Sequence, residues 1–600
     1  MARTSENDAT AVYEIADKWR KVCLIDGKSL LWSGEEIWSE QNLADFKKFF
    51  NDKPDVSSSS FGEKFKHQLE PAGPNVTKLA CELVLVYFLF PSSVTGNRKR
   101  ELIELIASWK NLKIEGEGRK IMAQLDIGIG GPGLAYNTRR PFELMYLGKV
   151  TLRLAEMKKS DREALLSDHL HFQMLLDAEE NEGTRQSRDI LLHLLFPEVY
   201  ERIASRAHKR LISETFADVV DQKEIPEDLD EKILAIRKEL EKLIPGERLD
   251  FYWPPLRDCW YVTNESDELN PLEGLSVKRQ IVLYGPPGTG KTHEARDLAD
   301  RLVRQGLLHV WGPGRYFRDQ ELVNKITRQR VRRVQLHPGY SYEDFVRGIH
   351  LAEGGQTEYR DGVLLQIIMD LNDDDGELNF VPFVLILDEM NRADLSKVLG
   401  ECFSLLEDRD MSVQLAGLDK TPREVSIPSK LHFIGTMNLI DQSLEQVDFA
   451  LRRRFLWYMR GFSREQFLTL AQHRWNMLRK QERLVKEWHP FEAEFEILAD
   501  RAEALNMEIE RHPSLGAQYQ IGHTYFCDVV SFIEKDFAAS TGRVRALFRQ
   551  NGHGREQTIG ALWKYSLKPL LEQYLSGIDT TERKGFIDKA EVLLISGSMQ

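Results

Sequence analysis

The chain is 600 residues long, 42% hydrophobic and 29% charged, with a net charge of −13. At roughly 150 residues per domain, two to four domains are expected. This balance excludes a wholly basic nucleic-acid coat, a fibrous repeat and a mostly disordered acidic chain, while leaving room for a local basic patch.

Five cysteines, Cys23, Cys81, Cys259, Cys402 and Cys527, have no CxxC spacing. Neither a disulfide framework nor a cysteine zinc site is therefore supported. The polar, acidic first residues do not read as a secretory signal. The best apolar run, Leu83–Phe90, is far short of the ~20 residues a membrane helix needs. It reads as buried core, and a cytoplasmic protein with no membrane association is expected.

Residues 1–250 are expected to form an N-terminal recognition or partner region, mainly helical α+β with short strands, anchored by Trp19, Trp32, Trp38 and Trp109. The stretch Ile127–Asn137 carries Gly128, Gly130, Gly131 and Gly133 and reads as a tightly turning loop rather than a phosphate cradle. Lys and Arg number 37 in this region against 43 Asp and Glu, whereas a domain held to DNA through phosphates is normally basic. Arg202, Arg206, Lys209 and Arg210 nevertheless fall on one helical face, a solvated face by default and a DNA or partner surface otherwise. Pro197-Glu198 with Asp221-Gln222-Lys223 is a degenerate nuclease signature in a helical context, so no nuclease is expected in this chain. Asp228–Leu243 reads as a charged helix stopped by Pro245. Residues 251–271, with Pro254, Pro255 and Pro271, are expected to be a linker.

From 272 to 460 short apolar runs alternate with helical stretches. Strands are expected at 281–284, 331–336, 383–387 and 431–435, and helices at 291–305, 363–372, 395–407 and 443–451. Such alternation implies an α/β core with a mostly parallel sheet covered by helices. From 461 to 600 the pattern is helical, through Gly577, as for a lid and C-terminal extension.

The strongest motif is Gly285-Pro286-Pro287-Gly288-Thr289-Gly290-Lys291-Thr292, a GxxxxGK[ST] loop between an apolar strand and a helix. Its glycines let backbone N–H groups face phosphates at a helix N-terminus. Lys291 is expected to reach the β- and γ-phosphates, and Thr292 to ligate Mg²⁺. The apolar run Phe383–Leu387 delivers Asp388 and Glu389 to the edge where open α/β sheets bind ligands. Asp388 is expected to hold the Mg²⁺ shell and Glu389 to polarise the attacking water. Asn438, at the end of the run from Leu431, suits a sensor of the water or γ-phosphate. Arg452, Arg453 and Arg454 suit an arginine finger reaching a neighbour's γ-phosphate, with a basic turn or a DNA contact as the bland alternatives.

These residues together resemble the AAA+ ATPases and GTPases, and more narrowly the McrB-like motor subunits of modification-dependent (type IV) restriction systems. The likeness rests on Asp388–Ala393, Leu395–Glu401, Leu405–Glu407, Ile427-Pro428, Ile434–Asp441 and Ala450–Phe455, with His337–Val346 after the second strand. Gln520–Phe526 and Pro569–Leu575 resemble the family's lid. The resemblance implies a nucleoside triphosphatase using Mg²⁺ and ATP or GTP. ATP is the general AAA+ nucleotide and GTP the family's own. It further implies a hexameric ring, an McrC-like nuclease partner, modified DNA as target, and an antiphage role. Asp441 matches the family's nucleotide-site pattern. Gln442 stands where the family has Arg, which bears on partner coupling and on rate. Arg409–Ser426 is expected to form a hairpin facing the pore or a partner. The rival readings are a protein-remodelling AAA+ chaperone and a nucleotide-gated scaffold with weak hydrolysis.

Overall fold

The computed structural model describes residues 9–53, 59–179, 186–221, 223, 225–246, 249–261, 269–351, 357–374, 376–415, 423–440, 449–484, 486–533, 547–548 and 558–596. The chain divides into two compact units, one of residues 1–263 with the short segment 311–319, the other of residues 264–310 and 320–600.

The N-terminal unit is built on helix α1 (Pro74–Phe88), which starts with Pro at its first turn, where the missing N–H costs nothing. Every residue from Leu79 to Phe90 is buried, so this helix is the centre of the core rather than an amphipathic surface helix. Trp19 and Trp38 are buried beside it, while Trp32 and Trp109 pack against the core's rim. One carboxylate, Glu82, sits within the apolar mass. It accepts hydrogen bonds from the Leu31 N–H (2.8 Å) and Trp38 Nε1 (2.5 Å) and from the Ser29 hydroxyl. Its cost is thereby met, although burial raises its pKa.

The short strands expected beside these helices reduce, among the described residues, to one isolated bridge between Pro91 and Gly130. The glycine loop is shorter than expected, because a helix already begins at Leu134. Its amides are engaged: Ile129 and Gly130 N–H both donate to the Phe90 carbonyl. A Cβ on Gly128 would lie 2.3 Å from the Pro91 carbonyl oxygen, so Gly128 serves close backbone packing.

The basic helical face also differs from expectation. Helix α2 (Arg206–Thr215) turns Lys209 inward, where its ammonium meets Asp189 (2.8 Å) and Asp230 (2.5 Å). Arg188 joins the same acids, and Arg202 pairs with Asp250 at 2.7 Å. Arg202 and Lys209 are therefore structural. Only Arg206 and Arg210 of the four reach toward solvent. Helix α3 (Leu229–Leu243) is capped by Asp228, whose carboxylate accepts from two first-turn N–H groups, as a helix start requires. Of the stretch expected as a linker, residues 251–261 and 269–271 are described, and Phe251, Leu256 and Trp260 among them are buried.

The C-terminal unit holds a five-stranded parallel sheet in the order β2–β5–β8–β1–β9. Its strands are β1 (Gln280–Gly285), β2 (Val331–Gln335), β5 (Phe383–Asp388), β8 (Leu431–Asn438) and β9 (Leu456–Met459). Strand β5 is buried throughout, as expected of a parallel strand covered on both faces. Two hairpins lie outside the sheet, β3 (Arg347–Leu351) with β4 (Thr357–Asp361), and the two-residue pair β6 (Val413–Gln414) with β7 (Glu424–Val425).

A helical run spans Lys291–Arg318 and breaks at Gly312 (φ 73°), just before Pro313, within the 311–319 segment assigned to the N-terminal unit. The expected 395–407 helix ends at Leu399. Gly400 (φ 53°) then turns the chain into a 3₁₀ segment. After β9 the chain is helical, with α4 (Arg464–Lys480), α5 (Glu492–Arg511) and a last described helix, Thr580–Ile595. Trp475, Phe495, Ile521 and Leu571 form its fully buried centre. Among the described residues no helix is long and apolar enough to cross a membrane.

Candidate functional site

Strand register gathers the motif residues. In the parallel pair β1–β8, Gly285 stands opposite Asn438. In the pair β2–β5, Gln335 stands opposite Asp388. The glycine loop, the acid pair and the Asn therefore emerge at one sheet edge, the carboxyl edge where such sheets bind ligands.

The loop itself is possible only with glycine. Gly288 and Gly290 have φ of 77° and 74°, a region costly to other residues. Lys291 opens the following helix and is buried. Its ammonium donates to the carbonyls of Pro286 (2.6 Å) and Gly285 (3.1 Å). The lysine thus lies along the loop that would wrap a phosphate chain. Arg460, just past β9, grips Glu294 of this helix through a three-bond guanidinium–carboxylate pair of 2.7–2.9 Å.

Asp388 is the centre of the polar network. Its Oδ1 accepts from Thr292 Oγ1 (2.9 Å) and from the Thr436 hydroxyl. Its Oδ2 accepts from Arg333 Nε (2.9 Å) and from a second Arg333 nitrogen. Burial alone would raise its pKa, but these hydrogen bonds and the Arg333 charge hold it below the usual carboxylate value. Thr292 and Asp388 are the hard oxygen donors suited to Mg²⁺, which takes one or two protein ligands beside substrate phosphates.

Glu389 adopts the left-handed conformation (φ 54°, ψ 45°), uncommon for a residue with a side chain and frequent at functional sites. Its N–H donates to Thr436 Oγ1 at 3.1 Å, and its carboxylate meets Gln335 Nε2 (3.0 Å) and Arg392 Nε (3.3 Å). Thr436 therefore bridges both acids. The carbonyl of Asn438 accepts from Asn391 Nδ2 at 2.8 Å. Asp441 and Gln442 lie outside the described residues.

The three consecutive arginines separate. Arg454 is buried, stacked on Phe403 (4.3 Å) and bonded to the Ala450 carbonyl and Glu407. Arg452 and Arg453 are exposed, and Arg453 pairs with Glu407 at 3.0 Å. Only these two are presented outward.

The helical C-terminal part closes over the glycine loop. Thr524 donates to the Gly288 carbonyl through both its N–H (3.0 Å) and hydroxyl (2.9 Å). A Cβ on Gly522 would lie 2.1 Å from the Gly288 carbonyl carbon. His523, buried beside Gly290, has its pKa pushed down to about 4 by burial and by the Lys291 charge.

Arg333 and Gln335 have no role in the sequence reading, which takes Thr436 only as part of the Ile434–Asp441 motif and Gly522–Thr524 only as part of the lid. Thr436 had a signal in hand, as the hydroxyl two residues before Asn438 on the same strand face. Arg333 and Gln335 carried none, because their partners lie 55 and 54 residues away.

Comparison with known proteins agrees with this geometry. A family described as AAA domain (dynein-related subfamily) matches residues 280–455, and one described as McrB, alpha-helical lid domain, matches residues 497–581. The Type IV methyl-directed restriction enzyme EcoKMcrB subunit of Escherichia coli (strain K12) is 34% identical over 263 residues, 43% of this chain and 49% of the relative. The Type II restriction enzyme BsuMI component YdiS of Bacillus subtilis (strain 168) is 26% identical over 214 residues, 30% of this chain and 56% of that protein. A proteasome-associated ATPase of Streptosporangium roseum is 25% identical over 197 residues, 32% of this chain and 30% of that protein. The chain spans about half the length of the first two of these relatives. With sheet order, glycine loop, acid pair and lid in place, the chain carries an AAA nucleotide-binding domain followed by a helical lid domain of the McrB type.

Proposed function

We propose that the chain is a Mg²⁺-dependent P-loop nucleoside triphosphatase that forms a ring and acts as the motor of a modification-dependent DNA restriction complex with a companion nuclease subunit. The observation that supports it most is the convergence of Lys291, Thr292, Asp388 and Thr436 at the carboxyl edge of the sheet, under the lid. Lys291 neutralises phosphate charge, and the loop amides at the helix N-terminus cradle the phosphate chain. Thr292 and Asp388 would hold Mg²⁺, which when bound neutralises charge on the phosphates. Glu389 takes a proton from the attacking water, once its carboxylate leaves Gln335 and Arg392. Asn438 orients that water or the γ-phosphate. Arg452 or Arg453 reaches the neighbouring subunit's site. The Escherichia coli relative is methyl-directed by name, which supports modified DNA as the target.

The test is turnover of ATP and of GTP, with and without methylated DNA and a companion nuclease subunit. Stimulation by methylated DNA supports the restriction reading. Stimulation by unfolded protein but not by DNA would replace it with a remodelling chaperone. Nucleotide binding without turnover under every condition would replace it with a scaffold.

A further inference from the structure

Arg333 stands on β2, the end strand of the sheet, on the strand's exposed face. Surface ion pairs of this kind contribute little as a rule. This one differs in its partner. Asp388 is only 2% exposed, and the guanidinium approaches it with two nitrogens on a single oxygen, Oδ2. The opposite oxygen, Oδ1, is left to Thr292 and Thr436. Both oxygens are thus assigned, and the carboxylate cannot rotate about its terminal bond without breaking bonds on both sides. Gln335, two residues along and on the same face of β2, holds Glu389 in the same manner.

We infer that Arg333 is a positioning residue for the divalent cation that accompanies the nucleotide: it pins Oδ2 of Asp388 from the edge strand so that Oδ1 stays aimed at Thr292. Arg333 itself touches neither phosphate nor cation in this arrangement. It acts through Asp388, as outer-shell partners act through metal ligands, where loss of the partner typically lowers metal affinity about 10–100-fold. The inference rests on the nucleotide-binding reading above.

The experiment uses the full chain and a fluorescent nucleoside triphosphate, titrated first in EDTA and then with increasing Mg²⁺. For Arg333→Ala the half-saturating Mg²⁺ concentration is expected to rise about 10-fold, with metal-free nucleotide affinity equal to wild type. Equal metal-free affinity also reports an intact loop. Arg333→Lys keeps the charge without the fork and is expected to fall between the two. It also serves as the readout if the alanine variant does not fold. An unchanged or lowered Mg²⁺ midpoint in the folded variants overturns the inference, a lowered one meaning that Arg333 opposes the cation. Wild-type binding that does not respond to Mg²⁺ also overturns it, whereas no nucleotide binding in either EDTA or Mg²⁺ would instead overturn the nucleotide-binding reading.

Discussion

At the scale of single residues, the site is a small set of side chains each with one geometric task. Thr436 ties Asp388 to Glu389, donating to one and accepting from the backbone of the other. Thr436→Val keeps the shape and removes both bonds. Because second-layer partners of this kind are worth about 10–100-fold, we expect turnover to fall by that factor while nucleotide affinity in EDTA stays at the wild-type value. Steady-state turnover beside equilibrium binding measures both, and unchanged turnover would remove Thr436 from the site. The arginines divide in the same way. Arg452→Ala and Arg453→Ala are expected to lose turnover without loss of stability. Arg454→Ala instead removes a buried side chain packed on Phe403 and is expected to lower the urea midpoint. The opposite pattern would assign the finger to Arg454.

At the scale of elements, the nucleotide core was legible because each piece is local. A continuous apolar run such as Phe383–Leu387 reads as a buried parallel strand, and a glycine loop between a strand and a helix carries its own mechanism. Strand β9 was missed: Leu456–Met459 is four residues long and lies one residue past three arginines. Its identity comes from pairing with β1, about 175 residues away, which sequence pattern does not display. The inward turn of Lys209 and Arg202 was illegible for a similar reason. A helical wheel shows which residues share a face but not that Asp189, Asp230 and Asp250 arrive from other segments to meet them. Lys209→Met would leave two buried carboxylates short of a counter-charge. Breaking a buried pair costs about 3–5 kcal/mol, so a large drop in the urea midpoint of the N-terminal unit's transition is expected, and a shift within ±0.5 kcal/mol, typical of surface positions, would contradict the burial. The lid clasp was legible as a lid but not as a contact. Gly522→Ala would place a Cβ against Gly288 and is expected to weaken nucleotide binding with little change in lid helicity. Unaltered affinity would show that the clasp is not part of the binding site.

At the scale of the whole molecule, buried histidines set an acid limit. His193 in the N-terminal unit and His432 and His523 in the C-terminal unit each have a pKa pushed down to about 4, burial being the largest cause. Unfolded, each would titrate near 6.5, so below that pH the unfolded chain binds protons that the folded chain refuses. Stability is therefore full above about pH 6.5 and is lost as pH falls toward 4. Urea midpoints at pH 7.5 and pH 5 should show the drop, and His193→Gln should flatten it for the N-terminal unit. Equal midpoints at both pH values would mean the histidines open to solvent at little cost.

The account stands or falls on whether the acid pair at the sheet edge drives hydrolysis. Wild type and Glu389→Gln should be compared for nucleotide affinity and for ATP and GTP turnover with Mg²⁺, methylated DNA and a companion nuclease subunit present. The account expects equal affinities and a turnover at least about 100-fold lower in the variant, the lower bound typical of a general base. Equal turnover in the two proteins, or no nucleotide bound by either, would contradict it.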